Sequence, residues 1–117
     1  PPFCQYAGLE AVVGDQSELK KMKKEYFERK KILVEGLNNV KGISCVDPGG
    51  AMYVFPNITG TGMTSDAFSE YVLDNIGVGV LPGNNFGING EGYIRMCYAT
   101  SQDDIVLALS RLKELFG

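Results

Sequence analysis

Residues 93–98, YIRMCY, constrain the fold more than any other stretch of this sequence. If they form a strand, Tyr93, Arg95 and Cys97 point to one side and the alternate residues to the other, so both faces carry large apolar groups. Such a sheet requires a second domain, a subunit or a ligand on its outer face. Arg95 is the exception, because burying a guanidinium costs several kcal/mol unless an anion accompanies it.

The position of Arg95 leaves two explanations open. The side chain pairs with a nearby carboxylate, or lies at the sheet edge with its head in solvent. Alternatively, it anchors a planar carboxylate or phosphate, since a guanidinium donates two parallel hydrogen bonds to such a group.

Periodicity and capping residues predict four helices and four short strands. The helices are expected over residues 1–13, from Asp15 or Ser17 to about 38, from Thr64 or Ser65 to 76, and from Ser101 onwards. The strands are expected over residues 43–46, 51–55, 78–81 and 93–98. This order predicts an α+β domain of two layers, in which helices cover one face of a small, mostly antiparallel sheet.

Apolar residues at helical spacing predict the buried faces of the three later helices. They are Leu19, Met22, Tyr26, Leu33 and Leu37 in the second helix, Phe68, Tyr71, Val72 and Ile76 in the third, and Ile105, Ala108, Leu109, Leu112 and Phe116 in the fourth. Gly14 and Gly77 are expected to end the first and third helices. Asp66, Asp103 and Asp104 fall in first helical turns, where the helix dipole favours them.

Composition excludes several classes of function. The net charge of −3 offers no field for nucleic acid or anionic lipid, and the lysines of residues 20–31 alternate with glutamates as on a solvated helix face. No run is long enough to span a bilayer and no signal peptide is apparent, so a cytoplasmic location is expected. The three cysteines lack metal-binding spacing and the chain contains no histidine, which argues against zinc and against Ser-His or Cys-His catalysis.

The loop of residues 82–92, PGNNFGINGEG, is ambiguous. Glycine and asparagine are ordinary turn residues, and a simple connection between two strands explains them. Eleven residues is nevertheless long for a hairpin, and long ordered loops are often functional. Its spacing matches no phosphate-binding signature. The aromatic residues Tyr53, Phe55 and Phe86 are interpreted as core or interface residues.

The order of these segments resembles a known family. PGGAMYVFPNI, then a helix, then IGVGVLPGNNFG and GEGYIRMCYATSQDDIVLALSRLKEL, is similar to the C-terminal small domain of fold type I pyridoxal-phosphate aminotransferases of classes I and II. The likeness covers essentially the whole chain and is strongest to bacterial aspartate and aromatic aminotransferases. It implies transfer of an amino group between an amino acid and a 2-oxo acid in a homodimer.

The resemblance implies one specific role in this chain. The arginine of the family's G-x-x-R strand binds the substrate α-carboxylate, and it matches Arg95. The loop with Asn84, Asn85 and Phe86 corresponds to one beside the active site, without an assigned contact. The small domain is implied to close over the substrate.

The family's cofactor-binding motifs, including its Schiff-base lysine, do not occur here. We therefore expect residues 1–14 to be the tail of a large pyridoxal-phosphate domain and residues 15–117 to be the small domain. As such a fragment, the chain is expected to bind no cofactor, to be inactive alone, and to self-associate through its apolar sheet face. The alternative is a stand-alone, non-catalytic domain that binds carboxylates or a protein partner.

Overall fold

A computed structural model describes residues 1–117 and confirms the predicted α+β class. The four helices are α1 (Pro2–Val13), α2 (Ser17–Asn38), α3 (Ser65–Ile76) and α4 (Gln102–Phe116). The strands are β1 (Tyr53–Val54), β2 (Leu81–Pro82) and β3 (Ile94–Cys97). Short 3-10 turns lie at Thr59–Thr61, Gly83–Phe86 and Ile88–Gly90. Helices and strands are therefore mixed along the chain, as the sequence predicted.

The three strands form one antiparallel sheet in the order β1-β3-β2. In its register Tyr53 lies opposite Cys97, and Leu81 lies opposite Arg95. Pro82 lies on an edge strand, where its missing N–H costs no ladder bond. The strand that carries Arg95 is thus the central one.

Helices α2, α3 and α4 cover one face of the sheet and enclose the core. Its most deeply buried members come from all of these elements and include Leu33, Leu37, Val54, Phe68, Val72, Ile94 and Leu112. Phe68 of α3 stacks on Phe116 of α4, with ring centroids 5.3 Å apart. The predicted inner faces are confirmed at these positions, but Leu19, Met22 and Tyr71 are exposed. Leu19 and Met22 instead line an open cavity together with Ala51 and Met52, outside the core.

Local capping accounts for most helix ends. Thr64 accepts a hydrogen bond from the N–H of Ala67 and begins α3, and Gly77 ends that helix in the left-handed region at φ 63°. Ser101 accepts a bond from the N–H of Asp104 and begins α4. The expected cap of α2 is wrong. Its N-cap is Gln16. The N–H of Ser17, the first residue of the helix, donates to the carboxylate of Asp15, which lies one residue before the N-cap.

The strand predicted at residues 43–46 does not form. Only Ser44 makes a bridge, to Asn57. The adjacent Cys45 is held by the side chain of Asn38, whose Oδ1 accepts from the Cys45 N–H at 2.8 Å and whose Nδ2 donates to the Cys45 carbonyl at 2.9 Å. An asparagine side chain therefore satisfies the backbone groups that a neighbouring strand would otherwise satisfy.

The other strands are shorter than predicted. Of residues 51–55 only Tyr53 and Val54 join the ladder, and of residues 78–81 only Leu81 does. The Val78 N–H donates instead to the carbonyl of Val72, near the end of α3. The start of this segment therefore caps the helix and does not pair with a strand.

Helix α1 differs from the rest of the chain because none of its residues is buried. Gly14 ends it as predicted, with its N–H bonded to the Glu10 carbonyl. The exposed side chains of α1 include Phe3, Tyr6, Leu9, Val12 and Val13. A helix with apolar residues on all sides is normally enclosed by other structure. None of the helices is both long and apolar enough to cross a membrane.

Candidate functional site

Arg95 lies in the middle of β3 and points away from the core. Its neighbours Ile94 and Met96 are buried on the helix-covered face, whereas Arg95 is half-buried and Cys97 exposed on the other. This alternation follows from the two-residue period of a strand. The predicted alternation is therefore observed, and Arg95 lies on the uncovered face of a central strand, away from the sheet edge.

Two aromatic rings cover the guanidinium of Arg95. Its Cζ lies 4.5 Å from the ring centroid of Tyr53 and 4.2 Å from that of Phe86. Both distances are within the range of a cation–π contact, in which the negative ring face attracts the cation. Tyr53 is positioned by β1, and Phe86 by the loop that follows β2.

No carboxylate pairs with Arg95. The ion pairs of the structure join Lys21 to Glu18, Arg29 to Glu25, and Lys30 to Asp47. The explanation of Arg95 by a nearby carboxylate or an edge position is therefore wrong for this structure. Its N–H donors make no hydrogen bond within the chain, so they are available to an external acceptor.

The rings around Arg95 belong to an aromatic cluster on the outer sheet face. Phe55 stacks on Tyr93 with centroids 5.5 Å apart, and meets Phe86 edge-on at 6.2 Å. Tyr53 and Phe55 are each 40% exposed and Phe86 is 49% exposed. Of the two interpretations of these residues, core or interface, the core interpretation is wrong, because this face of the sheet has no covering layer in the chain.

An open cavity of about 250 Å³ lies beside Arg95. It is lined by Tyr53, Gly79, Val80, Leu81, Arg95 and Cys97. One cation in an otherwise apolar lining favours a small anion with an apolar portion, since the guanidinium meets the charge and the walls meet the remainder.

The loop after β2 is held by close backbone packing. Gly83 donates its N–H to the Tyr93 carbonyl at 2.8 Å, and the backbones of Gly83 and Gly90 touch so closely that a Cβ on either would overlap the other. Glycine at both positions therefore permits the two 3-10 turns to fold against each other. Phe86 ends the first of these turns.

The N-terminus of α3 holds the same loop from the other side. The Ser65 N–H donates to the Glu91 carboxylate at 3.0 Å, and the buried Ser65 hydroxyl accepts from the Gly92 N–H at 2.9 Å. Asn84 donates its amide to Asp66 at 2.7 Å. Ser65 and Glu91 were missed as positioning residues by sequence reasoning. The one available signal was the capping position of Ser65.

The predicted loop residues have different environments. Phe86 contacts Arg95, whereas Asn84 is turned towards α3 and its Oδ1 is buried without a hydrogen-bond partner. Asn85 is exposed. Tyr53, which sequence reasoning had not placed at the site, is the second ring on Arg95. The structure therefore brings Arg95, Phe86 and Tyr53 together.

Comparison with known proteins identifies the chain's relatives. Residues 2–112 match the model of the family described as aminotransferase class I and II. An aspartate aminotransferase of Pyrococcus horikoshii is 49% identical over 114 residues, covering 96% of this chain and 29% of the relative. Aromatic-amino-acid aminotransferase 2 of Thermococcus litoralis is 37% identical and is covered to the same 29%.

Solved structures agree with these sequence matches. The crystal structure of aromatic aminotransferase from Pyrococcus horikoshii has a TM-score of 0.90 and 41% identity, covering 97% of this chain and 30% of that one. Alanine aminotransferase from Pyrococcus furiosus also has a TM-score of 0.90, at 30% identity. The chain thus spans about three tenths of the length of the relatives it matches. On the family match and these identities, the chain belongs to the aminotransferases of class I and II.

Proposed function

We propose that this chain is part of a pyridoxal-phosphate-dependent aminotransferase, in which Arg95 binds the α-carboxylate of the substrate. The enzyme would move an amino group between an amino acid and a 2-oxo acid, with aspartate or an aromatic amino acid favoured as donor. The names of the relatives support this choice of donors. The observation that carries the proposal is the guanidinium of Arg95, which lacks an internal anion and lies beside an apolar cavity.

The chemistry of Arg95 suits an α-carboxylate. A carboxylate is planar, and two of its oxygens can accept two parallel hydrogen bonds from the guanidinium fork. Every amino acid and every 2-oxo acid carries this group, so one arginine can serve both half-reactions. Closure of this domain over the substrate, which we also propose, would exclude water from the ion pair and strengthen it.

The residues of this chain do not fit the cofactor itself. Its eight lysines lie on the charged side of α2, at Lys41 and at Lys113, and none lines the cavity beside Arg95. Lys30 is engaged by Asp47 at 2.7 Å and by the Pro48 carbonyl. In the proposed enzyme the pyridoxal phosphate supplies the chemistry of amino-group transfer. Residues outside this chain would hold it.

The proposal extends to the partners of the domain. We propose that the outer sheet face and α1 are covered by the enzyme's own large domain, to which residues 1–14 would belong, and by a second subunit of a cytoplasmic homodimer. Support comes from the exposed aromatic cluster and from the absence of buried residues in α1. If so, the 117-residue chain alone should self-associate, and sedimentation would measure this.

The test is Arg95→Gln in the full-length protein. Two charge-assisted hydrogen bonds, at about 1.5 kcal/mol each, predict a loss of about 3 kcal/mol in kcat/KM, or roughly a hundredfold. Arg95→Lys keeps the charge without the fork and should lose less. Arg29→Gln is the matched control, because Arg29 pairs with Glu25 on α2 and should leave the kinetics unchanged.

Unchanged kinetics of Arg95→Gln would remove the carboxylate role from this residue. A full-length protein that binds carboxylates without transferring amino groups would instead support the non-catalytic alternative. Steady-state kinetics with aspartate, phenylalanine and alanine as donors distinguishes these outcomes and identifies the preferred donor.

A further inference from the structure

We infer that Phe86 is a positioning residue, which fixes the guanidinium of Arg95 in the orientation that a carboxylate needs. This inference rests on the proposed function and adds a residue to its site. It starts from the fact that Arg95 makes no hydrogen bond within the chain. Its head group contacts the rings of Phe86 and Tyr53.

A long arginine side chain samples many rotamers unless neighbouring groups restrict it. Here the rings perform that role, because each is centred within 4.5 Å of Cζ. The two rings come from different segments, Tyr53 from β1 and Phe86 from the loop after β2. The rings occupy the space around Cζ but cannot accept the strong in-plane hydrogen bonds, which remain for a carboxylate.

The two rings are positioned by different means. Tyr53 is fixed by the sheet ladder, since it lies opposite Cys97 on β3. Phe86 belongs to a loop, and its place over Arg95 depends on how that loop is anchored. The anchors are the Gly83–Gly90 backbone contact and the bonds of Ser65 to Glu91 and Gly92.

These anchors stand on both sides of Phe86 in the sequence. Gly83, three residues before Phe86, donates its N–H to the Tyr93 carbonyl. Glu91, five residues after Phe86, accepts a hydrogen bond from the Ser65 N–H. The N-terminus of α3 therefore determines where Phe86 lies, and Phe86 in turn restricts Arg95. The expected consequence is an effect on carboxylate binding that does not extend to ligands without a carboxylate.

The experiment compares Phe86→Leu with Phe55→Leu in the full-length protein. Leucine keeps an apolar side chain but removes the ring face. Phe55 is the matched control, because it lies on the same sheet face with similar exposure and touches Phe86 and Tyr93 rather than Arg95. The inhibition constants of hydrocinnamate and of hydrocinnamyl alcohol, which lacks the carboxylate, are measured for each variant.

We expect Phe86→Leu to weaken hydrocinnamate roughly 2- to 30-fold, the range of a cation–π contact, and to leave hydrocinnamyl alcohol unchanged. Phe86→Tyr keeps the ring and should restore hydrocinnamate binding. Phe55→Leu should change neither constant. Glu91→Ala removes the hydrogen bond from the Ser65 N–H that anchors the loop. It should also raise the inhibition constant of hydrocinnamate, which tests the position of Phe86 without changing Phe86 itself.

Equal weakening of both inhibitors by Phe86→Leu, or full hydrocinnamate affinity in both Phe86→Leu and Glu91→Ala, would overturn the inference. Arg95→Gln in the same assay keeps the two proposals apart. If Arg95→Gln binds hydrocinnamate normally, the proposed function of Arg95 fails. If it binds hydrocinnamate weakly while Phe86→Leu binds it normally, only the positioning role of Phe86 fails.

Discussion

Replacing Gly83 with alanine should destabilise the fold by about 0.5–4 kcal/mol, because the new methyl group has no space. It would overlap the Gly90 carbonyl oxygen and lie 2.6 Å from the Tyr93 carbonyl oxygen. Both obstacles are backbone atoms, which cannot rotate aside as a flexible side chain would. The loop must therefore move away from the start of β3.

The magnitude follows from three contributions. Overpacking a well-packed site costs about 1–3 kcal/mol. Losing the hydrogen bond from the Gly83 N–H to Tyr93 costs about 0.5–1.5 kcal/mol more. Alanine lowers the conformational entropy of the unfolded chain, and this offsets about 0.4–1 kcal/mol of the destabilisation. For 117 residues the entropy of unfolding is about 0.25 kcal/mol/K, so a loss of about 0.5–4 kcal/mol should lower Tm by about 2–16 °C.

Urea unfolding followed by circular dichroism measures this change, with Gly79→Ala as the matched control. Gly79 has no atom within 4 Å of an added Cβ and does not lie in the left-handed region, so its alanine variant should be neutral or slightly stabilised. Equal stabilities of Gly83→Ala and Gly79→Ala would refute the argument that backbone packing holds this loop.

Two further predictions concern titratable groups. Hydrogen bonds from the hydroxyls of Ser101 and Thr100 lower the pKa of Asp104 below its ordinary 3.8, so its stabilising effect is present above that value and is lost as the pH falls through the folded pKa. In Asp104→Asn, the urea concentration at the unfolding midpoint should therefore fall less steeply as the pH is lowered from about 5 to about 2. The same pH dependence in the variant and the unchanged protein would contradict this. Burial, assisted by the charge of Asp47, raises the pKa of Cys45 to about 11, whereas Cys4 and Cys97 are exposed. A thiol-specific disulfide reagent at about pH 8 should thus modify two cysteines in the folded chain and three in urea, and rapid modification of all three in the folded chain would contradict the prediction.

The parts of the fold that the sequence predicted best depend on neighbouring residues. The caps at Thr64 and Ser101 involve partners three residues away, and Gly77 ends α3 by its own backbone freedom. Both partners of such a contact lie within a few residues of each other, so the spacing of residue types is enough to predict it. The placement of Arg95 and Cys97 on one face, with Ile94 and Met96 on the other, could be predicted for a similar reason, since it follows from the alternation of one strand.

The parts that were not predicted depend on residues distant in sequence. The segment near Cys45 was predicted as a strand because nothing in its own residues indicates that the Asn38 side chain will satisfy its backbone. Likewise, the pattern around Arg95 does not specify which side chains will meet it. Tyr53 and Phe86 reach it through the pairing of β1 with β3 and through the loop anchors at α3.

The backbone contact between Gly83 and Gly90 holds the loop in its conformation without help from the side chains that the loop exposes. Because main chain meets main chain there, the exposed positions Asn85, Ile88 and Asn89 contribute little to holding the path. Evolution can therefore exchange these three exposed side chains and alter the surface that the loop presents, while the two glycines remain fixed.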